Sequence, residues 1–374
     1  MIFDRIVETD LMQKMYAPLV LWFRENKREM EWRTHPLPYY IWVSEIMLQQ
    51  TRVETVRPYF HRFVNELPDI ASLAQCDEER LLKLWEGLGY YNRVRNMQKA
   101  ARVVVQEYGG ELPRDLHLLK KLPGIGSYTA GAIASAAYKI PAPAVDGNVL
   151  RVLSRLTGSF ECIDDPKVKA HYEELVREFL ESGKVPDPGE FNQALMEIGA
   201  LVCLPNGPAG CDGCPVRDLC IACRNGDTDS IPVRKPKKPR RVEHRTVLCV
   251  RDATRTVIRK RPGRGLLAGM WELPNLEGEL TDTQALEASR RIGIRPVRIM
   301  PLPQAKHIFS HVEWHMTGYL VLAEELDCLA DGYLAAEPEQ TQREYSIPSA
   351  FARYTEYLNI RQGLSDGGNV ESHQ

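Results

Sequence analysis

Two carboxylates, a glycine hairpin and a run of thiols are the residues of this sequence whose types and spacing could do chemistry. Glu45 lies inside Ile41-Trp42-Val43-Ser44-Glu45-Ile46-Met47-Leu48. A carboxyl buried in such a run is desolvated, which raises its pKa and keeps it protonated at neutral pH, as a general acid requires. The same residue on the solvated stripe of an amphipathic helix would do no chemistry, and the segment alone leaves both readings open. Asp146, in Val145-Asp146-Gly147-Asn148-Val149 after the proline-rich residues 140–144, is either an N-cap or a carboxylate held at a helix start to stabilise developing positive charge. Leu122-Pro123-Gly124-Ile125-Gly126 is either a plain turn or a hairpin. In a hairpin, two glycines with φ > 0 would let a phosphate approach the following helix start.

The nine cysteines are unevenly placed: five fall between Cys203 and Cys223, as Cys203-x7-Cys211-x2-Cys214-x5-Cys220-x2-Cys223. A disulfide framework needs an oxidising compartment that nothing in the sequence supports, so the cluster reads as a metal site. Four thiolates suit tetrahedral zinc or an iron–sulfur cluster. Zinc ribbons usually separate their Cys pairs by more than the five residues between Cys214 and Cys220, which favours iron–sulfur.

These residues need a scaffold, and the chain is long enough for two domains at 374 residues. Hydrophobic content of 44% and charged content of 26% exclude collagen-like and disordered classes. No apolar run approaches the ~18 residues of a membrane span. The acidic start MIFDRIVETD is no secretory signal, so the expected location is intracellular and cytoplasmic. Helix-spaced apolar positions predict helices at 12–27, 40–63, 77–87, 92–108, 116–121, 127–138, 149–156, 167–182 and 191–203. The net charge of −2 hides a basic segment, residues 231–245, with seven Lys/Arg and one Glu. A stiff, solvated Pro/Lys/Arg stretch fits a linker. Beyond it, strands at 246–251, 255–260 and 312–322 and helices at 283–292 and 348–358 predict a small α+β domain. The expected organisation is a helical domain over 1–230, the linker over 231–245, the second domain over 246–362 and a disordered tail over 363–374.

The blocks VSEIMLQQT, WEGLGYYNRVRN, LPGIGSYTAGAI, AVDGNVLRVLSRL, FNQALMEIGALVC and the cysteine cluster, in this order, resemble the adenine DNA glycosylase (MutY) family of the helix-hairpin-helix glycosylases. The resemblance covers roughly Asp4 to Cys223 and, weakly, the C-terminal domain. It implies an all-α glycosylase domain with an iron–sulfur loop, and a monofunctional enzyme that removes adenine paired with 8-oxoguanine or guanine in duplex DNA, initiating base excision repair. In that reading Glu45 protonates adenine at N7, and Asp146 stabilises the oxocarbenium-like sugar or adds to it. Asn148 positions the carboxylate and water. Tyr128 stands where lyase relatives carry a Schiff-base lysine. The resemblance places Trp32, Arg33 and Gln193 in an adenine pocket. It places Gln50, Thr51, Leu88 and Tyr90 at the base stack, and Gly124 and Gly126 on the DNA backbone. It assigns Cys203, Cys211, Cys214 and Cys220 to a [4Fe-4S] cluster, and allows a monovalent or divalent structural cation at the hairpin. The expected state is a monomer, with no membrane partner.

The segment RGLLAGMWELP (264–274) resembles the start of a Nudix-type domain. The helix that would hold magnesium in a hydrolase of that fold reads ALEASRRIG (285–293) with one carboxylate, too few for such a site, so the domain is expected to read 8-oxoguanine rather than hydrolyse a nucleotide. Phe309-Ser310-His311 matches the family's sensing loop. Two features depart from the family pattern: seven residues rather than six separate Cys203 from Cys211, and Cys223 is a spare thiol that could replace Cys203 as ligand.

Overall fold

The computed structural model of the chain describes residues 5–236 and 238–360; the tail expected over 363–374 lies outside the described residues. Contacts divide the chain into two units: residues up to 60, 66–74 and 96–237 in one, and 61–65, 75–95 and 238 onward in the other.

The first unit is helical. Its helices are α1 (Arg5–Asn26), α2 (Glu31–Thr34), α3 (Pro38–Leu48), the start of α4 (Val53–Glu66) and most of α5 (Ile70–Gln75). After α6 (Glu78–Leu84), which belongs to the second unit, come α7 (Asn92–Glu107), α8 (Leu116–Lys121), α9 (Ser127–Tyr138), α10 (Gly147–Thr157), α11 (Pro166–Glu181), α12 (Pro188–Leu201) and α13 (Ile221–Asn225). Their starts carry the caps that free helix N–H groups need: Asp115, Asp146, Asp165 and Asp187 each accept a backbone N–H of the following turn. α10 is strongly amphipathic, and Val149, Leu150, Val152, Leu153 and Leu156 enter a core shared with Leu19, Phe23, Tyr172, Phe179 and Phe191. Asn192, 1% exposed, donates to Ser135 Oγ (3.0 Å) and the Ala142 carbonyl (2.8 Å) and accepts from Ala144 N–H (3.2 Å). It thereby fixes the proline-rich segment that leads into Asp146.

The single helix expected over 40–63 is two. It breaks at residues 49–52, where Gln50 adopts φ 60°; neither Gly nor Pro marks the break, so the periodicity runs through it.

The second unit holds a seven-stranded sheet of β1 (Arg241–Arg251), β2 (Thr256–Lys260), β3 (Trp271–Glu272), β4 (Asn275–Glu277), β5 (Pro296–Ile308), β6 (Val312–Ala323) and β7 (Tyr333–Ala336). Its path is β3-β2-β1-β6-β5, with β4 on β1 and β7 on β2. β1 and β6 run parallel from Arg241↔Val312 to Arg251↔Leu322, so pairing begins at Arg241, earlier than the expected 246. β5 lies outside the expected strands because its prolines read as breakers. It is an edge strand with a register irregularity between Leu302 and Ala305, where prolines are tolerated. α14 (Asp282–Arg291) covers one face; α15 (Pro338–Glu344) and α16 (Ala352–Thr355) follow. The helix expected at 348–358 is α16 flanked by two 3-10 turns, 349–351 and 356–358. Among the described residues no helix is long and apolar enough to cross a membrane.

Candidate active site

A cavity of about 1440 Å³ opens in the helical unit, and Glu45, Asp146, Tyr128, Asn148, Trp32, Arg33, Gln50, Thr51, Gln193 and Gly126 all line it. The helices bring together residues as far apart as Trp32 and Gln193, on α2, α3, α9, α10 and α12.

Glu45, in the last turns of α3, receives the Tyr128 hydroxyl from the first turn of α9 at 2.5 Å. Burial raises the Glu45 pKa to about 7; the Tyr128 hydrogen bond and Arg33 oppose the rise, and the Asp146 charge adds to it. The carboxyl is therefore largely protonated below neutrality, as an acid catalyst needs. Tyr128 is held well above its usual pKa by burial and by Glu45, so its phenol stays a donor. Losing that donor should misorient the acid and raise its pKa further. Tyr128→Phe is expected to lower single-turnover excision by about 10–100-fold, the range of a hydrogen bond to a charged group, and to move the high-pH fall of the rate upward; an unchanged profile would deny the coupling.

Asp146 fills the first of its two expected roles, the N-cap. Its Oδ1 caps α10 by accepting Val149 N–H (2.8 Å), and its Oδ2 accepts the Asn148 amide (2.8 Å). Burial pushes its pKa up, while these hydrogen bonds and Arg151 pull it back. Of the pair, Asp146 is thus the carboxylate provided with donors to hold a negative charge. Gly199 lets α12 approach Asn148: a Cβ there would lie 2.7 Å from the Asn148 Cβ. Arg151, 3% exposed, donates to Asn148 Oδ1 (2.9 Å) and to the Gly199 and Cys203 carbonyls (2.7 and 2.8 Å). It joins the carboxylate's partner to the start of the cysteine loop.

Glu197 also lines the cavity and is not foreseen from the sequence, although a carboxylate within ALMEIGAL carries the same signal as Glu45. It is 1% exposed and binds both Arg28 (2.9–3.0 Å) and Arg33 (2.8–3.0 Å). Burial alone would raise its pKa, but the two guanidiniums bring it down to about 2. This permanent anion fixes Arg33 on the cavity wall. Trp32 is both core and wall: 5% exposed, edge-on to Phe60 at 4.9 Å, and lining the cavity.

At the hairpin only one glycine has the expected conformation. Gly124 has φ 77°. Gly126, the N-cap of α9, is extended at φ −86°, and no atom lies within 4 Å of where a Cβ would stand. Its bareness keeps space open rather than permitting a turn.

In the second unit, Phe309-Ser310-His311 forms the connection between β5 and β6. Phe309 anchors it on Trp314 (5.0 Å), and the Phe309 and His311 carbonyls accept from Arg240 Nε (3.1 Å) and Arg241 N–H (3.2 Å). Ser310 is exposed, and its hydroxyl pairs with the Tyr90 hydroxyl at 3.0 Å. Tyr90 is 49% exposed, whereas Leu88 is only 5% exposed. Of these two residues expected at the base stack, Tyr90 is the one exposed; Leu88 is packed away in the interior. In α14 the lone Glu287 is exposed and faces Arg291 at 3.6 Å.

The cysteine loop packs against α10. Arg155 Nη1 donates to Cys203 Sγ (3.2 Å), and Cys220 Sγ lies 3.4 Å from the Arg155 carbonyl. Burial and the neighbouring thiols Cys223, Cys220 and Cys203 raise Cys211 to about 11, and burial with Cys203, Cys220 and Cys211 raises Cys214 to about 12. Cys211 and Cys214 thus each lie within electrostatic reach of three other thiols of the cluster. Among the described residues no three His, Cys, Asp or Glu side chains are grouped to hold a single metal ion.

The chain matches the HhH-GPD superfamily base excision DNA repair protein family over residues 43–178 and the NUDIX domain family over 246–357. It is 36% identical over 354 residues to the adenine DNA glycosylase of Mus musculus, spanning 79% of this chain and 68% of that protein. It is 32% identical over 310 residues to that of Buchnera aphidicola, spanning 82% and 87%. A solved thermostable thymine-DNA glycosylase superposes on 58% of this chain and 98% of its own, with TM-score 0.51 and 25% identity.

Proposed function

The chain belongs to the adenine DNA glycosylase family, and from that premise we propose that it excises adenine opposite 8-oxoguanine as a monofunctional glycosylase. The observation that carries the chemistry is the pairing, in one cavity, of a carboxyl with pKa about 7 and a hydrogen-bonded carboxylate. Adenine leaves poorly as an anion. Glu45 would protonate it at N7 once the nucleoside has been extruded into the cavity, at a cost of a few kcal/mol that a mispair lowers. As the C1′–N9 bond breaks, positive charge grows on the sugar, and Asp146 would stabilise it or bond to C1′ until water arrives. Asn148 would orient the carboxylate and that water. Tyr128 offers no amine, so strand cleavage through a Schiff base has no nucleophile at this position.

The donor set fits an iron–sulfur cluster: neighbouring, half-buried to buried thiols are costly to ionise, and a cationic centre offsets that cost. Cys203, Cys211, Cys214 and Cys220 would hold it, with Cys223 as the alternative to Cys203. Its contribution would be to fix the loop that packs on α10. Cys214→Ser is expected to lose the visible absorbance of the cluster and to lower the melting temperature; a variant with both intact would take Cys214 out of the ligand set.

For the second unit we propose a base reader. Ser310, exposed on the β5–β6 connection, would bond the oxidised base, with Tyr90 beside it in the stack. Ser310→Ala is expected to narrow the preference for adenine opposite 8-oxoguanine over adenine opposite guanine by about 3–10-fold, the worth of one hydrogen bond, in single-turnover rates on the two duplexes. An unchanged ratio would remove Ser310 from recognition.

A further inference from the structure

Gly147 is a glycine that the fold does not require. Its backbone lies outside the left-handed region, and a Cβ there would meet only Arg234 Nη2, at 3.9 Å, an ordinary contact. Alanine would favour the first turn of α10 by up to about 1 kcal/mol. A bare backbone that neither conformation nor packing demands leaves room for a partner to come close. This one directly follows Asp146.

Arg234 is brought to the same place by a tethered segment. The Ile231 carbonyl accepts from Arg155 Nε at 2.7 Å, the Val233 carbonyl accepts from Ile163 N–H at 3.0 Å, and Lys235 N–H donates to Asp164 Oδ2 at 2.9 Å. The side chain of Arg234 is exposed, and its charge is close enough to be felt at Arg151. The cavity edge nearby carries Asp146, Asp164 and Asp165, which would repel a polyanion. Arg234 supplies the opposite charge beside Gly147, next to Asp146.

We propose that Arg234 and the bare backbone of Gly147 form the seat of a backbone phosphate flanking the extruded adenosine. The inference rests on the reading that duplex DNA delivers its adenosine to this cavity. A nucleotide presenting C1′ to Asp146 carries a phosphate on each side of its sugar, and the residue next to Asp146 is where one of them passes. A guanidinium meets phosphate through two parallel hydrogen bonds, a geometry that lysine cannot reproduce. This part of the basic segment therefore binds DNA as well as joining two units.

The test is the salt dependence of duplex affinity for wild type, Arg234→Gln and Gly147→Ala. Loss of one phosphate contact lowers the magnitude of the log–log slope by about 0.9. Arg234→Gln is expected to show that drop on matched and mispaired duplexes alike, with the loss falling on affinity more than on the rate at saturating DNA. Gly147→Ala should bind more weakly with an unchanged or higher melting temperature. A methylphosphonate at one of the two phosphates flanking the adenosine should weaken wild type and leave Arg234→Gln indifferent. Arg234→Gln with wild-type slope and affinity, beside a wild type that excises adenine, overturns the seat alone. An unchanged slope with slowed chemistry also overturns it, assigning Arg234 to the charge of Asp146. A wild type that neither binds nor cuts such duplexes removes both the seat and the reading beneath it.

Discussion

Glu45→Gln is expected to slow adenine release by about 10²–10⁴-fold, the usual worth of a positioned acid. Glutamine matches the shape and can still accept the Tyr128 hydroxyl, so the loss is that of the proton. The pH profile follows from the same group. In the proposed chemistry Glu45 acts in its protonated form, so the wild-type single-turnover rate is expected to hold below about 7, the pKa to which burial lifts it, and to fall about tenfold per pH unit above that. The variant's residual rate should lack this limb.

Stability moves the other way. The folded-state pKa of Glu45 lies above its unfolded value of 4.5. As pH rises from 4.5 to 7 the unfolded chain gives up the proton while the folded chain keeps it, which disfavours folding. Glu45→Gln removes the penalty, about 1.4 kcal/mol for each pH unit that separates the folded and unfolded pKa values, before any relief from solvent in the cavity. Its melting temperature should exceed that of wild type at pH 8 and approach it at pH 4.5. A variant no more stable at either pH would place the carboxyl in water.

Asp146→Asn should cost about 10²–10³-fold in the same assay, the scale of one preorganised charge aimed at a transition state. Asparagine caps helices as well as aspartate, so Val149 N–H keeps an acceptor and the fold should hold. Alanine would confound the experiment by removing the cap. Because the Asp146 charge raises the Glu45 pKa, its loss should also shift the high-pH limb of the residual rate downward. Near-wild-type rates with an unshifted limb would leave Asp146 as a cap and nothing more.

Much of this site is legible in the sequence because its blocks occur together and in order. A glutamate in an apolar run and an aspartate before a helix each keep an ordinary reading when taken singly; five close thiols stand out, and the order of all of them resembles one family. The same signal marks Glu197, but its partners, Arg28 and Arg33, lie 169 and 164 residues away and nothing local points to them. The break at Gln50 is hidden because residues 40–63 keep one helical period on both sides of it. The edge strand β5 is hidden by its prolines, whose meaning depends on which strand is at the edge. Leu88 and Tyr90 look alike as candidates in a loop sequence; only packing separates a buried leucine from an exposed tyrosine.

Acid-assisted release of adenine, with no attack by an amine, is tested most directly by a single-turnover reaction of the cluster-loaded wild type. The duplex holds one adenine opposite 8-oxoguanine, and the products are resolved with and without alkali. Free adenine should appear, and the strand should break only after alkali. Strand breakage without alkali, or no adenine release, would contradict that chemistry.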